Sequence, residues 1–175
     1  MKTIPVEHLC PESFRPFGQV LETLTESSRV FYNQALENAR LNALVNLSVA
    51  HFTPVAECPF QIKQMERHPW SSQTFIPMKV SRYLIVVAPD GTQGVPDMNA
   101  ARAFIANDSQ AITYRRAVWH HGMTVLDQPA TMAVLMWCDG GDGDEEFIDI
   151  IPLINVDLPR CAEEQGRQAK EGESQ

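Results

Sequence analysis

From Ala43 onward the chain alternates between apolar and polar residues over short segments, which is the two-residue period of β-strands. The first of these segments, ALVNLSVAHF, places Val45, Leu47, Val49 and His51 on one face. Similar short segments follow, and several are separated by turn-forming stretches such as PDGTQGVPD and CDGGDGD: QIKQMERH, FIPM, RYLIVVAP, ARAFIAND, AITYRRAVWHH, TMAVLMW and EEFIDIIPL. Many short strands without intervening helical patterns predict a mainly β fold, an antiparallel sandwich or barrel.

Three further segments refine this prediction. CPESFRPFGQVLE predicts one short helix, followed by an extended segment after Gly18. YLIVVA is apolar on both faces, so it is either a central strand or a strand covered by a partner chain. The last residues, CAEEQGRQAKEGESQ, are polar and contain two glycines. We therefore expect one domain over residues 1–160 and a disordered tail over residues 161–175.

Composition and charge restrict the partners and the compartment. The chain has 175 residues, with 14 Lys and Arg against 22 Asp and Glu, and a formal net charge of −8. This balance argues against nucleic acid and against an anionic membrane surface, but a few local arginines are enough to bind a small carboxylate. The sequence contains no long apolar run, no CxxC pair and no apolar leader pattern near its start. We expect a cytoplasmic protein with free thiols.

The stretch MERHPWSSQTFIPM gathers an acid, an imidazole and an amide within a short distance. In a strand, Glu66 and His68 point to the same face because they are two residues apart. Pro69 then ends the strand, since it has no N–H to donate. Gln73 begins the next strand, so we expect Glu66, His68 and Gln73 to converge at one hairpin mouth. Lys79 has the same parity as Gln73 and is a further candidate there.

A second polar cluster lies in YRRAVWHH. If this segment is extended, Tyr114, Arg116 and His120 share one face, whereas His121 points to the other. Tyr114 and Arg116 then become neighbours of His120 in any pocket that His120 enters. Tyr114 also has an ordinary alternative, as a packing residue with a locally satisfied hydroxyl.

The two clusters resemble the metal-binding motifs of the cupin superfamily, in which H-x-H and a following E are joined later by a second-motif His. Here the first motif is Glu66-x-His68, four residues, Gln73, and the second is Arg115-x-Ala117-x-x before His120. Glu and Gln thus replace a His and the Glu, and the usual Pro and Gly of the second motif are missing.

Longer stretches are more specific. ERHPWSSQTFIPM, RAFIANDSQAITYRRAVWHH and FRPFGQVLE resemble the ureidoglycolate lyase family, in the same order and spacing from about Phe14 to about Ile151. The resemblance implies a cupin-like β-sandwich or barrel that forms a homodimer. It also implies a reaction late in allantoin and purine degradation, the cleavage of ureidoglycolate into glyoxylate and urea.

The chemistry of that reaction suits the residues. A base must take the hydroxyl proton as the C–N bond breaks, and an acid must protonate the departing urea nitrogen. We expect three residues to act as proton-transfer groups or as metal ligands: His68, His120 and Glu66. One divalent transition metal would be bound by Glu66, His68, Gln73 and His120. The expected substrate-binding residues are Arg116, as a clamp for the substrate carboxylate, together with Gln73, Lys79 and Tyr114.

Two other functions fit a cupin-like chain. One is a metal-dependent oxygenase or isomerase that acts on another small acid, although the Glu and Gln substitutions weigh against it because such enzymes prefer three or four strong ligands. The other is a non-catalytic module that binds a small carboxylate. The acidic run from Asp139 to Glu146 lacks the ligand spacing of an EF-hand and is expected to be a solvated turn.

Overall fold

Twelve strands, one short helix and one 3-10 turn make up the part of the chain that the computed structural model describes, residues 2–158. The predicted domain end at residue 160 and the predicted disordered tail, residues 161–175, lie outside these residues. The elements in chain order are β1 Thr3–His8, α1 Pro11–Phe14, β2 Gly18–Glu22, β3 Leu44–Phe52, β4 Phe60–Arg67, β5 Gln73–Lys79, β6 Arg82–Ala88, the 3-10 turn Thr92–Gly94, β7 Arg102–Asn107, β8 Gln110–Tyr114, β9 Trp119–His120, β10 Thr124–Val125, β11 Ala130–Cys138 and β12 Glu146–Asp157. The predicted mainly β fold with short peripheral helices is confirmed.

The strands form two sheets. The larger sheet has the order β10-β6-β7-β1-β12-β4-β9, and an additional pairing of β6 with β9 closes it into a barrel. The smaller sheet has the order β2-β8-β5-β11-β3. Neighbouring strands are antiparallel, except that β1 runs parallel to both β7 and β12. The predicted antiparallel pattern thus has one exception in the described residues, β1, which is joined to neither of its neighbours by a hairpin.

Strand β6 is buried on both faces because it separates two hydrophobic cores. Tyr83, Ile85 and Val87 pack into the core between the barrel and the smaller sheet. Their alternating neighbours, such as Leu84 and Val86, pack into a core built from strands of the larger sheet. The doubly apolar YLIVVA segment is thus a central strand, and this chain alone accounts for its burial.

The same division places the polar clusters between the two sheets. On β9, Trp119 packs into the core of the larger sheet, and His120 beside it on the chain contacts Tyr114 of the smaller sheet. On β4, Met65 enters the core of the larger sheet and Glu66 pairs in register with His120. The pleat of two adjacent strands therefore brings Glu66 and His120 to the same side of the barrel wall.

The described cysteines differ in their bonding. Cys10 and Cys138 are free, but Cys58 is disulfide-bonded, so the expectation of free thiols is wrong for that residue. The cytoplasmic location stays a prediction, and Cys58 does not support it. Within residues 2–158, no helix is long and apolar enough to cross a membrane.

Candidate active site and metal centre

Glu66, His68 and His120 converge between the two sheets, and each offers one ligand atom within 4.8 Å of the others. Glu66 Oε1 lies 3.3 Å from His120 Nε2, and the rings of His68 and His120 are 5.5 Å apart between centroids. His68 and His120 are buried, whereas the side chain of Glu66 keeps 20% of its exposure. One carboxylate and two imidazoles therefore share a partly enclosed space that solvent reaches from the side of Glu66.

Gln73 adds an amide to this group from the opposite sheet. It is the first residue of β5, where it pairs with Tyr114 of β8, and its Oε1 lies 3.2 Å from His120 Nε2. The four residues that the sequence analysis grouped as metal ligands are thus brought together, with three supplied by the barrel and one by the smaller sheet.

The ring of His68 is held in one orientation. Its Nδ1 lies 2.8 Å from the backbone carbonyl oxygen of Asp144, and since a carbonyl only accepts, Nδ1 carries the proton. In the neutral ring the lone pair is then on Nε2, and this buried atom has no hydrogen-bond partner among the described residues. A ring nitrogen fixed by a backbone carbonyl, with its lone pair left free on the other side, is the usual state of a metal-ligating histidine.

His120 is fixed in a similar way by two contacts. Its Nδ1 donates to the carbonyl oxygen of Val118 at 2.8 Å. Its ring stacks on the ring of Tyr114, with centroids 4.1 Å apart and planes inclined by 18°. Nε2 is left to face the oxygens of Glu66 and Gln73, so His120 meets both of them through the same atom.

The carboxylate of Glu66 stays ionised at neutral pH. Burial raises its pKa, but the hydrogen bond from His120 and the charges of His120, His68 and His121 outweigh burial and lower the pKa below its ordinary value of 4.5. The group therefore keeps its negative charge at every pH above its ordinary pKa. At neutral pH the carboxylate can bind a cation, but it is only a weak base.

Comparison with known proteins identifies the family of this chain. The family model described as ureidoglycolate lyase matches residues 1–151. The chain belongs to the ureidoglycolate lyase family. A relative from Agrobacterium fabrum is 36% identical over 163 residues, 90% of this chain and 97% of the relative. The ureidoglycolate lyase of Pseudomonas aeruginosa is 35% identical over 159 residues, 84% of this chain and 91% of that protein.

Among solved structures, a dTDP sugar isomerase from Desulfovibrio desulfuricans G20 matches with a TM-score of 0.45 and 13% sequence identity. The match covers 74% of this chain and 80% of the isomerase. The family assignment rests on the sequence matches alone.

Two expectations about the second cluster of this ureidoglycolate lyase family member are corrected. Strand β8 ends at Tyr114 and β9 begins at Trp119, with a turn between them in which Ala117 has a φ of 62°. The face-sharing argument for Tyr114, Arg116 and His120 is therefore wrong, because it needs a continuous strand. Tyr114 itself is only 2% exposed, and it supports the ring of His120 instead of opening toward a substrate. Burial also raises the pKa of its hydroxyl well above the ordinary value, which keeps the phenol neutral.

Arg116 is exposed in that turn, yet the turn lies against the site. The backbone N–H of Ala117 donates to the carbonyl oxygen of His68 at 2.7 Å, and the N–H of Arg116 donates to Glu37 Oε2 at 3.0 Å. The backbone that carries Arg116 is thus fixed beside His68. Arg116 stays a candidate for substrate binding on this ground, and not on strand parity.

The structure does not bring Lys79 to the site. Lys79 ends β5 and lies six residues after Gln73, a distance of about 20 Å along a strand. A register irregularity in the pairing of β5 with β11, at Thr131 and Met132, further disturbs the parity on which the expectation rested. Lys79 is exposed at the end of β5 far from the histidines.

Asp144 is a residue of the site region that the sequence analysis missed. It belongs to the acidic run that was expected to be a solvated turn, and its neighbours there are exposed as expected. Asp144, however, is only 4% exposed, and its carbonyl oxygen holds His68. Nothing in the sequence distinguishes it from Asp139 or Asp142, because its burial depends on contacts with distant parts of the chain.

Proposed function

We propose that this protein cleaves ureidoglycolate into glyoxylate and urea at the centre formed by Glu66, His68 and His120. The observation that carries the proposal is the convergence of these three side chains in a member of the ureidoglycolate lyase family. In the reaction the hydroxyl group loses its proton, the carbon–oxygen double bond forms, the C–N bond breaks, and the urea nitrogen gains a proton. Product analysis tests the reaction, with glyoxylate and urea expected in equal amounts and no release of ammonia.

A divalent transition metal fits the residues that are present. Glu66 is ionised, His68 offers a free lone pair at Nε2, and both histidines donate their Nδ1 proton to a backbone carbonyl. Two imidazoles and a carboxylate are donors that zinc, manganese and iron accept, and the amide oxygen of Gln73 is a weaker fourth donor. When bound, such an ion supplies Lewis acidity toward a substrate oxygen and lowers the pKa of a bound hydroxyl group.

The residues around this centre have separate tasks. Glu66 is better suited to be a ligand than a general base, because its lowered pKa makes it a weak proton acceptor at neutral pH. Tyr114 shields one face of His120 and keeps its ring in plane. The amide oxygen of Gln73 approaches the centre from the opposite sheet and lies 3.2 Å from His120 Nε2. These contacts hold the donor atoms in place before the substrate arrives.

Arg116 is the residue that we propose for the substrate carboxylate. Its guanidinium has no ion pair or hydrogen bond in the described part of the chain, and its backbone is fixed next to His68. A guanidinium binds a carboxylate through two parallel hydrogen bonds, which contribute about 1.5–3 kcal/mol when a charged group is involved.

Replacing Arg116 by glutamine is therefore expected to raise KM for ureidoglycolate by about 10- to 100-fold, since each 1.4 kcal/mol of lost binding is a factor of ten. The effect on kcat should be smaller, because the carboxylate does not react. Arg115→Gln is the matched control, since Arg115 is the exposed neighbour in the same segment. Steady-state kinetics of both variants decide the assignment, and an equal rise of KM in both would contradict it.

A second copy of the chain is the proposed partner of the smaller sheet. The outer face of β3 exposes Val45, Leu47 and Val49, with Leu47 at 68% and Val49 at 64%. Ile76 and Met78 of β5 are exposed in the same sheet. An apolar strip of this length along a sheet suits a two-fold symmetric interface, in which the same surface is used by both copies.

The mass of the protein in solution tests this dimer. Light scattering coupled to size-exclusion chromatography is expected to give twice the chain mass of 19.6 kDa. Leu47→Glu should shift the protein to the monomer, because the charge would be buried without a partner. Ile151→Glu, at an exposed apolar residue of β12 in the larger sheet, is the matched control and should remain a dimer. A monomeric wild-type protein at micromolar concentration would contradict the assignment.

A further inference from the structure

The carboxylate of Asp144 is the meeting point of contacts from two loops. Its Oδ1 accepts the backbone N–H of Trp70 at 2.7 Å, and its Oδ2 accepts a short hydrogen bond from the hydroxyl of Ser71. Trp70 and Ser71 follow His68 on the chain, after Pro69 has ended the strand. The carboxylate therefore ties the loop before β12 to the loop that leaves His68.

Arg40 neutralises this buried carboxylate and anchors it from a third segment. Its Nη2 donates to Asp144 Oδ2 at 2.9 Å and to the carbonyl oxygen of Trp137 at 2.7 Å, and its Nη1 donates to Asp139 Oδ2 at 3.0 Å. The side chains of Arg40 and Asp144 are 14% and 6% exposed. An ion pair this deeply placed holds its geometry tightly, because separating the charges leaves one of them buried without a partner.

These contacts bear directly on His68. The side chain of Asp144 fixes the peptide unit whose carbonyl oxygen lies 2.8 Å from His68 Nδ1. That hydrogen bond determines both the ring orientation and the tautomer, and so it determines that Nε2 presents a lone pair to Glu66 and His120. Without the anchor, the carbonyl is free to turn away from Nδ1. The ring can then carry its proton on Nε2 instead, and it loses the lone pair through which it would bind a metal.

We propose that Asp144 is a positioning residue for His68, and that the ion pair with Arg40 keeps it in place. The proposal rests on the proposed function only in taking His68 as part of the reactive centre. Asp144 is not placed in contact with any reacting atom. It acts through the orientation and tautomer of the His68 ring.

The test compares Asp144→Asn with Asp142→Asn in the full-length protein. Both variants remove one charge from the same loop, but Asp142 is exposed and Asp144 is buried. Asparagine at position 144 keeps an oxygen for Trp70 but loses the acceptor for Ser71 and Arg40. We expect kcat to fall by about 10- to 100-fold with little change in KM, which is the usual cost of removing a group that orients a ligand.

The 15N chemical shifts of the His68 ring give a readout that does not depend on activity. In the wild-type protein we expect a protonated Nδ1 and an unprotonated Nε2, and in Asp144→Asn a mixture of the two tautomers. Asp142→Asn should give the wild-type spectrum and rate. Ser71→Ala is the milder second variant in case Asp144→Asn does not fold, with the same spectral change at smaller amplitude.

Three results would overturn the proposal: wild-type ring shifts in Asp144→Asn, or in Ser71→Ala if only that variant folds; a wild-type kcat in folded Asp144→Asn; or equal changes in Asp142→Asn and Asp144→Asn. A wild-type protein that releases no glyoxylate would instead refute the proposed function. The ring shifts would still decide whether Asp144 positions His68.

Discussion

Replacing His68 by alanine is expected to lower kcat for ureidoglycolate cleavage by about 100- to 10,000-fold, the range found when a proton-transferring or ligating group is lost. The reason is that His68 Nε2 has no hydrogen-bond partner within residues 2–158 and lies with the ligand atoms of Glu66 and His120. The variant also leaves the carbonyl of Asp144 without its hydrogen bond, at a cost of about 1–3 kcal/mol. Glyoxylate release and a thermal unfolding curve measure the two effects separately.

The control for this variant is His8→Ala, since His8 is exposed at the end of β1 and lies on a different part of the fold. It should retain wild-type turnover and stability. A folded His68→Ala variant with turnover close to that of the wild type would remove His68 from the centre. Because its Nδ1 is held by Asp144, such a result would leave His68 as a structural residue between two loops.

Replacing Glu66 by glutamine is expected to have the second large effect. The change preserves shape but removes the charge that faces two imidazoles, so we expect kcat to fall by at least about 100-fold and the affinity for a divalent transition metal to fall with it. Glu22→Gln removes one carboxylate at the exposed end of β2 and is the matched control. Turnover and a calorimetric zinc titration measure both effects.

The stability difference between the wild type and Glu66→Gln should also depend on pH, in a defined direction. Burial raises the pKa of Glu66, but the hydrogen bond and charge of His120 outweigh it, and the folded-state pKa lies below 4.5. The ionised carboxylate therefore stabilises the fold above the unfolded pKa, and this contribution is lost as the pH falls through the lower, folded value. The difference in Tm between the wild type and Glu66→Gln should be full at neutral pH and shrink below pH 4.5. A constant difference across that range would contradict the assigned charge state.

Strand periodicity was enough to predict the mainly β fold and the grouping of Glu66, His68 and Gln73. Glu66 is paired within a regular strand, and Pro69 marks the end of that strand clearly. In a regular strand, residues two apart in sequence lie on the same face of the sheet, so the face predicted from the sequence is the face seen in the structure.

Where parity failed, a local irregularity interrupted the strand. The turn at Ala117 uses a positive φ at a residue that is not glycine, so the sequence gives no warning that the segment around Arg116 leaves the extended conformation. Lys79 is separated from Gln73 first by the length of β5, and the register irregularity opposite Lys79 adds to the failure of parity. The role of Asp144 depends on Arg40 and Ser71, which are far apart in sequence, and only the tertiary structure brings them together.

The most direct test of the central claim is glyoxylate release from racemic ureidoglycolate by the purified protein, with and without a strong chelator. We expect rapid release of glyoxylate and urea in equal amounts, loss of activity after chelation, and recovery when a divalent transition metal is restored. That result would establish a metal-dependent lyase, for which Glu66, His68 and His120 are the donor set proposed from the structure. No release in either arm, even with metal restored, would contradict the proposed function, and full activity in the chelated protein would contradict the metal.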